Sequence, residues 1–467
     1  MDLTTLAEIA GGRLVNPATI PIDAIGLNAQ TLEPGGMFAA VPGSRVHGAT
    51  FAADSKAAAI LTDEAGLELL ADETRPILVV ENVRAILGKL AAEVYGHPSD
   101  DMVVIGVTGT SGKTTTTHML EHGLRAMGYT VGLIGTTGTR IAGRWVPTSL
   151  TTPEAPKLQE LFAEMKQQGV THVVMEVSSH AISLGRIQGT KFDVAAFTNL
   201  SQDHLDFHHT MAEYFAAKAE FFAGMAAHNV LVVEDEWGSR LLDTYGGIEV
   251  GKISVLGPQR YAVRVGQRDV EIRLSLPGRF NVLNAALAVT CVDTVGIDAQ
   301  EFANTLVDVG VPGRMEVIDE GQDFLAVVDY AHKPAAVAAI LETLRADYRV
   351  GIVLGAGGDR DASKRPLMGK AAAEGAAFVV VTDDNPRSED PAAIRAAVLE
   401  GTRGADAEVV EIGDRAAAIR AAVAWAQPGD AIVIAGKGHE TGQLINGVTH
   451  PFDDRIALAE ALREVRR

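Results

Sequence analysis

Residues 104–120 read VIGVTGTSGKTTTTHML: an apolar run, a turn punctuated by glycines, a lysine, then four threonines. A loop that follows a strand and opens a helix turns backbone N–H groups, and the positive end of the helix dipole, toward an anion. Glycines let the backbone approach that anion closely. In such a loop Lys113 reaches the β- and γ-phosphates of a nucleotide, and the Thr114 hydroxyl ligates its Mg²⁺. The spacing is particular. The common pattern has a glycine five residues before the glycine of the Gly-Lys pair, where Val107 stands here; the glycines are Gly106, Gly109 and Gly112. The stretch predicts a site for ATP or GTP and leaves open where the phosphate goes.

Outward from this loop the pattern alternates strand, loop and helix. MVVIGV (102–107) precedes a helix from Lys113; VGLIG (131–135) precedes a helix from about Glu154; HVVMEV follows at 172–177. Such βαβ repetition predicts a mostly parallel sheet covered by helices. A β-ribbon over residues 253–276 interrupts it before a helix from Asn281. GVPGRME (310–316) combines Gly and Pro and reads as a hinge, after which FLAVVDY, RVGIVLG, AFVVVTD and AIVIAG alternate with alanine-rich helical stretches. Upstream, short apolar runs at 37–41, 57–61 and 77–80 sit among PGG and PGS turns, and GHPSDD (96–101) reads as a linker. The expected fold is therefore α/β in three domains: a small one over 1–98, a P-loop parallel-sheet domain over 99–311, and a doubly wound, Rossmann-like domain over 312–467.

Composition narrows the function. A formal charge of −20 argues against general nucleic-acid binding, which needs clustered basic side chains. No apolar run approaches the ~18 residues that span a bilayer. The start, MDLTTLAEIA, lacks the basic residues and apolar core of a secretion signal. The single cysteine, Cys291, excludes an internal disulfide framework and fits a reducing cytoplasm. The expected partners are small molecules, with no nucleic acid and no membrane insertion, and the expected state is a monomer.

Two downstream clusters carry chemistry. HVVMEVSSH ends in Glu176, Ser178, Ser179 and His180, and residues just past the carboxyl ends of parallel strands face the ligand crevice. FDVAAFTNL runs into SQDHLDFHH, with Asp203, His204, Asp206, His208 and His209. An Asp-His pair directly after a strand suits a metal. Then Thr210 and Glu213 form a capping box, and Met211, Tyr214, Phe215, Phe221 and Phe222 mark one helical face. Lys218 falls on that face. Either it snorkels to water, or its amine is desolvated, more easily neutral, and able to add CO₂ as a carbamate that would ligate Mg²⁺.

TGTSGKTT, MEVSSH, TNLSQDHLDFH, EYFAAK, GRFNVLNAALA, GVPGRME, VDYAHKP, GAGGDRD, TDDNPR and GKGHE occur together and in order. With them the chain resembles the Mur ligases of bacterial cell-wall synthesis, over about residues 30–460. The resemblance implies an ATP-dependent, ADP-forming ligase that adds a diamino acid to UDP-N-acetylmuramoyl-L-alanyl-D-glutamate through an acyl phosphate. By this resemblance Gly109, Thr110, Ser111, Gly112, Lys113, Thr114 and Thr115 hold the ATP phosphates, and Asn281, Arg314 and Asp329 approach the nucleotide. Thr114, Glu176, His204 and Lys218, the last as a carbamate (N6-carboxylysine), would ligate two Mg²⁺ ions. Lys113, Lys218 and His204 are the expected catalytic residues. Thr151, Thr152, Ser178 and Arg186 would contact the muramoyl dipeptide, and Leu27, Ala29, Ser44, Arg45 and Val46 its nucleotide end. Arg360, Asp384, Asn385, Pro386, Arg387, Gly436 and Glu440 match positions that bind the incoming amino acid.

Within that family an arginine at the place of Arg387 in DNPR accompanies meso-2,6-diaminopimelate, so the resemblance implies this substrate, whose distal carboxylate a guanidinium can grip through two parallel hydrogen bonds. L-Lysine and L-ornithine, the alternatives, end in an ammonium that Arg387 repels. A folylpolyglutamate synthetase is a further alternative, against which DNPR and GKGHE argue. One departure stands out. Where the family carries Asp-Ser-Arg at the uridine, this chain has Asn28, Ala29 and Gln30, so its uracil contacts differ.

Overall fold

The computed structural model describes residues 1–43 and 45–465. Its centre is an eight-stranded sheet in the order Ile248–Glu249, Ala226–Leu231, Phe192–Phe197, Val103–Thr108, His172–Glu176, Val131–Gly135, Gly138–Ile141, Arg144–Val146. The first six run parallel, and the last two are an antiparallel extension. Val103–Thr108 lies inside the sheet with Val104, Ile105 and Val107 fully buried, as a near-continuous apolar strand covered on both faces must be. Each such side chain contributes roughly 1.5–3 kcal/mol of burial free energy.

Lys113–Ala126 follows the loop as a helix whose four threonines, with His118 and Glu121, are all buried. It is enclosed rather than amphipathic, with helix Arg279–Thr294 packed on it in one continuous core. That second helix begins two residues ahead of Asn281, which therefore sits in its first turn. The expected ribbon is a three-stranded antiparallel sheet, Ile253–Gly257, Arg260–Val265 and Arg268–Arg273.

The C-terminal sheet has six strands in the order Glu316–Val317, Leu325–Asp329, Ala431–Ala435, Val350–Leu354, Phe378–Val381, Glu408–Glu411. All but the first are parallel. The N-terminal sheet has five strands, parallel except for Arg13–Val15. GHPSDD is not slack chain, because residues 98–101 form a 3₁₀ turn with Pro98 and Ser99 buried. There the Lys191 N–H donates to Ser99 Oγ at 3.1 Å, and Lys166 ion-pairs with Asp101 at 2.5 Å.

The carboxyl ends of three central strands lead into the phosphate loop, Glu176 and Asp203. Those of four C-terminal strands lead into Asp329, the GAGGDRD loop, Asp384 and Gly436. Side chains from both sets line a common cleft.

Candidate active site

The phosphate loop can only be built with glycine at two positions. Gly109 has φ +144°, and a Cβ there would stand 1.9 Å from Thr198 Oγ1; Gly112 has φ +87°, with Asn284 Oδ1 at 2.4 Å. The loop is strapped to the neighbouring strand end: Thr110 N–H donates to Asn199 O at 2.9 Å, and Thr198 Oγ1 to Ser111 O at 2.6 Å.

Three ammonium groups converge on two consecutive loop carbonyls. Lys113 Nζ donates to Gly109 O at 2.9 Å and Thr110 O at 3.0 Å. Lys218 Nζ donates to Gly109 O at 2.9 Å, and Lys333 Nζ to Thr110 O at 3.0 Å. Burial and the Lys333 charge bring the Lys113 pKa down to about 8. Lys218 is 1% exposed, so the snorkelling alternative fails. Burial, then repulsion from Lys113 and Lys333, holds its amine well below the usual lysine range. Its helix starts as expected, with Glu213 N–H donating to Thr210 Oγ1 at 3.1 Å.

Glu176 is fixed by three donors: Thr114 Oγ1 at 3.0 Å, Thr136 N–H at 2.8 Å and Thr136 Oγ1 at 3.0 Å. Thr114 in turn accepts from Arg314 Nη2 at 3.2 Å. Asp203 ion-pairs with Lys333 at 2.8 Å and contacts His204 at 3.1 Å. Burial opposes its ionisation, yet Lys333 and His204 hold the carboxyl far below its ordinary range. His208 faces away, onto Ser179 Oγ at 2.9 Å.

Two cavities flank the loop. The first, about 370 Å³, is lined by Thr110, Ser111, Gly112, Lys113 and Thr114, by Glu176 and His204, by Thr151, Thr152, Ser178 and Arg186, and by Arg314, Lys333 and Arg360. The second, about 350 Å³ and mostly apolar, is lined by Thr115, Asn281, Asn284, Arg314, Asp329 and alanines of helix Pro334–Arg345. Asp329 is pinned there by the N–H groups of Met315 and Ala331, both at 2.7 Å. The sequence-predicted phosphate, nucleotide and dipeptide residues of the central and C-terminal sheets thus gather around one loop. Lys218 does not line either cavity; it lies behind the loop on Gly109 O.

The amino-acid set forms an adjoining cluster. Asn385 Nδ2 donates to Glu440 Oε2 at 2.9 Å, and the fully buried Lys437 bridges Asn385 Oδ1 at 3.1 Å and Glu440 Oε2 at 3.0 Å. Arg387, in the left-handed region at φ +54°, directs Nη1 to Gly358 O at 2.7 Å. A hairpin, Gly442–Ile445 with Val448–Pro451, closes over this loop: Leu444 N–H donates to Asn385 Oδ1 at 2.9 Å. Beneath, Arg415 and Asp454 form a fully buried bidentate pair, and Arg415 also reaches Ala435 O and Asp383 O. Tyr330 joins cluster to cleft: it lines the first cavity and packs on His439 with ring centroids 5.2 Å apart.

Leu27, Ala29 and Val46 line a separate groove of about 420 Å³ with Asn28, Gln30, Phe38 and Phe51. Arg45 does not line it, and Ser44 lies outside the described residues. Sequence reasoning missed Lys333, Tyr330 and Lys437 as site members, though they lie within the quoted VDYAHKP and GKGHE.

The residues suit a polyphosphate and a divalent cation. Lys113, Arg314 and Lys333 all face the loop, each resting on a protein oxygen, and Arg314 Nε is buried without a hydrogen-bond partner. Thr114 and Glu176 supply hard oxygen donors beside them. Among the described residues no group of three or more His, Cys, Asp or Glu side chains is gathered for a metal. Among the described residues, too, no helix is long and apolar enough to cross a membrane.

The chain belongs to the Mur ligase family. Residues 21–95 match the Mur ligase family catalytic domain, 107–292 the Mur ligase middle domain, and 313–438 the Mur ligase glutamate ligase domain. Within that family it is 58% identical, over all of its own length and 95% of the relative's, to the UDP-N-acetylmuramoyl-L-alanyl-D-glutamate–2,6-diaminopimelate ligase of Corynebacterium efficiens. The Streptomyces coelicolor ligase of the same name is 46% identical, covering 100% of this chain and 98% of that one. A solved structure of a ligase of that name superposes with a TM-score of 0.69 at 31% identity, over 99% of each chain.

Proposed function

We propose that this protein is an ATP-dependent amide ligase of peptidoglycan synthesis, joining meso-2,6-diaminopimelate to the D-glutamate carboxylate of UDP-N-acetylmuramoyl-L-alanyl-D-glutamate. One observation carries the reading: a P-loop and a carboxylate-lined cleft adjoin a cluster in which Arg387, Asp384 and Glu440 offer both charges to a zwitterion. The full-length identity to ligases of that name supports it.

In this reading the acceptor carboxylate lies along Thr151, Thr152, Ser178 and Arg186, in line with the terminal phosphate held by residues 109–115. An acceptor oxygen bonds to that phosphorus and ADP leaves, giving the acyl phosphate. The amine nitrogen then attacks the acyl carbon, loses a proton, and inorganic phosphate departs. Lys113 offsets the repulsion between the two anions, a task that falls largely on electrostatics in phosphoryl transfer. Asn281, Arg314 and Asp329 hold the nucleoside end. Divalent cations, two in number, on Thr114, Glu176, His204 and carbamylated Lys218 would supply further charge neutralisation. The Lys218 amine, desolvated and facing two like charges, is suited to add CO₂ with loss of a proton, which turns its charge from positive to negative.

Arg387 selects a distal carboxylate; Asp384 and Glu440 take the ammonium groups. The N-terminal groove, with Leu27, Ala29 and Val46, receives the uridine end through contacts altered by Asn28 and Gln30; Ser44 and Arg45 would adjoin it. We take the protein as a cytoplasmic monomer of three domains, 1–98, 99–311 and 312–467.

The test is ADP release with the muramoyl dipeptide and each of diaminopimelate, L-lysine and L-ornithine, with a folate acceptor in parallel. Diaminopimelate should give the highest kcat/KM. A preference for lysine, ornithine or folate would refute the assignment.

A further inference from the structure

Two ammonium groups from opposite sides of the cleft meet at a single oxygen. Lys113 belongs to the central sheet's phosphate loop. Lys333 follows strand Leu325–Asp329 of the C-terminal sheet, at the cap of helix Pro334–Arg345. Both donate to Thr110 O at 3.0 Å. Lys333 is 7% exposed, and the partners its ammonium finds, Thr110 O and Asp203 at 2.8 Å, both belong to the central sheet. A buried cation needs compensation. This one is compensated across the cleft, so it loses its partners whenever the two sheets part.

Its position also has a direction. Lys333 lines the cavity that holds Thr151, Ser178, Arg186 and Arg360, and does not line the apolar cavity on the Asn281 side. It therefore sits toward the acceptor, at the end of the loop where a terminal phosphate projects. Asp203 balances Lys333, but Lys113 and Arg314 line the same cavity, and a transferring phosphoryl group is the further anion these cations suit.

We propose that Lys333 is a catalytic residue. It is a phosphate ligand carried by the C-terminal sheet, which leaves Thr110 O to meet the terminal phosphate of ATP and then the acyl phosphate. Phosphoryl transfer thus proceeds only with the two sheets together. The inference rests on the ligase reading above. It adds a charge contributed across the domain boundary, comparable in role to an arginine supplied in trans.

The experiment compares Lys333→Met, Lys333→Gln and Lys333→Arg in the full chain. Binding of ADP and of a β,γ-methylene ATP analogue is measured by calorimetry in Mg²⁺ buffer, with kcat and both KM values beside it. Loss of one preorganised charge at a transferring group predicts about a tenfold weaker analogue, ADP changed about twofold or less, and kcat down about 100-fold. The KM for diaminopimelate should stay within about threefold, and Lys333→Arg should recover most of the analogue's affinity. If Lys333→Met does not fold, Lys333→Gln, which can keep the bond to Thr110 O, carries the same expectation. Equal weakening of both nucleotides, or unchanged analogue binding, would overturn the proposal. The binding arm uses neither acceptor nor amino acid. A wild-type chain that discriminates the nucleotides through Lys333 yet turns over no muramoyl dipeptide would sink the ligase reading alone.

Discussion

Lys113 and Lys218 donate to the same acceptor, the carbonyl oxygen of Gly109, each at 2.9 Å. One amine faces the cleft and the other lies behind the loop, under the Tyr214 ring at 4.8 Å from its centroid. Two like charges on one oxygen are tolerable only if one gives up its proton or an anion arrives. The shared carbonyl thus ties the chemistry of both lysines together.

For Lys113 the expected outcome is direct. Lys113→Met should lower kcat by about 100-fold or more, with weakened binding of both ADP and ATP analogues, because its reach covers both outer phosphates. Steady-state kinetics and calorimetry read this. Unchanged kcat would remove Lys113 from phosphoryl transfer.

If Lys218 carries the proposed carbamate, Lys218→Ala should abolish most turnover, and a short carboxylic acid such as acetate should restore part of it by standing in for that group. In the unaltered protein, ¹³CO₂ should give a carbamate signal by NMR that vanishes in the variant. Rescue failing while the NMR signal is also absent would exclude the modification.

Arg387→Ala should reduce kcat/KM for diaminopimelate about tenfold or more while leaving L-lysine turnover unchanged or raised, since the guanidinium attracts the first and repels the second. Competition assays decide it. Parallel losses for both amino acids would mean that Arg387 shapes the loop through its bond to Gly358 O and does not read the substrate.

Acid should destabilise the protein through His118. Its Nε2 lies 2.9 Å from Thr137 Oγ1, and burial with the nearby Arg140 charge brings its pKa to about 3. Unfolded, the ring titrates near ~6.5. Between these values the unfolded chain holds the extra proton, so stability is whole above about 6.5 and falls with pH toward 3, by about 2 kcal/mol at pH ~5. Melting temperature should therefore drop less in His118→Gln than in the wild type between pH ~7.5 and ~5. Equal drops would show that the ring is not the proton acceptor.

What the sequence revealed follows how local each signal is. The phosphate loop is read from the single stretch 104–120 because strand, glycines, lysine and helix all act within that span. Glu176 and Asp203 are read because the first ends an apolar strand, His172–Glu176, and the second lies a few residues past another, Phe192–Phe197. Lys333 is different: its partners Thr110 and Asp203 are distant in sequence, and nothing in VDYAHKP says which oxygen the lysine will meet. Lys437 is likewise fixed by Asn385, from the loop after strand Phe378–Val381. Strand Glu408–Glu411 went unread because EVVE is half exposed and short, with neither clear alternation nor a continuous apolar run. The hairpin after Gly442 did carry a signal, Asn446-Gly447 between two β-prone runs, the pairing that suits a tight hairpin turn.

The Arg415–Asp454 pair has a practical side. Asp454 opens the last helix, Asp454–Val465, and lines neither cavity beside the phosphate loop, yet its partner guanidinium braces the chain just before Asp384 and just before Gly436. Trimming that helix, or prying it loose with a bulky fusion, would leave every residue lining the cleft in the polypeptide while stranding a cation under the cluster of Asn385, Lys437 and Glu440. Tags and truncations at this end therefore need as much care as mutations in the cleft.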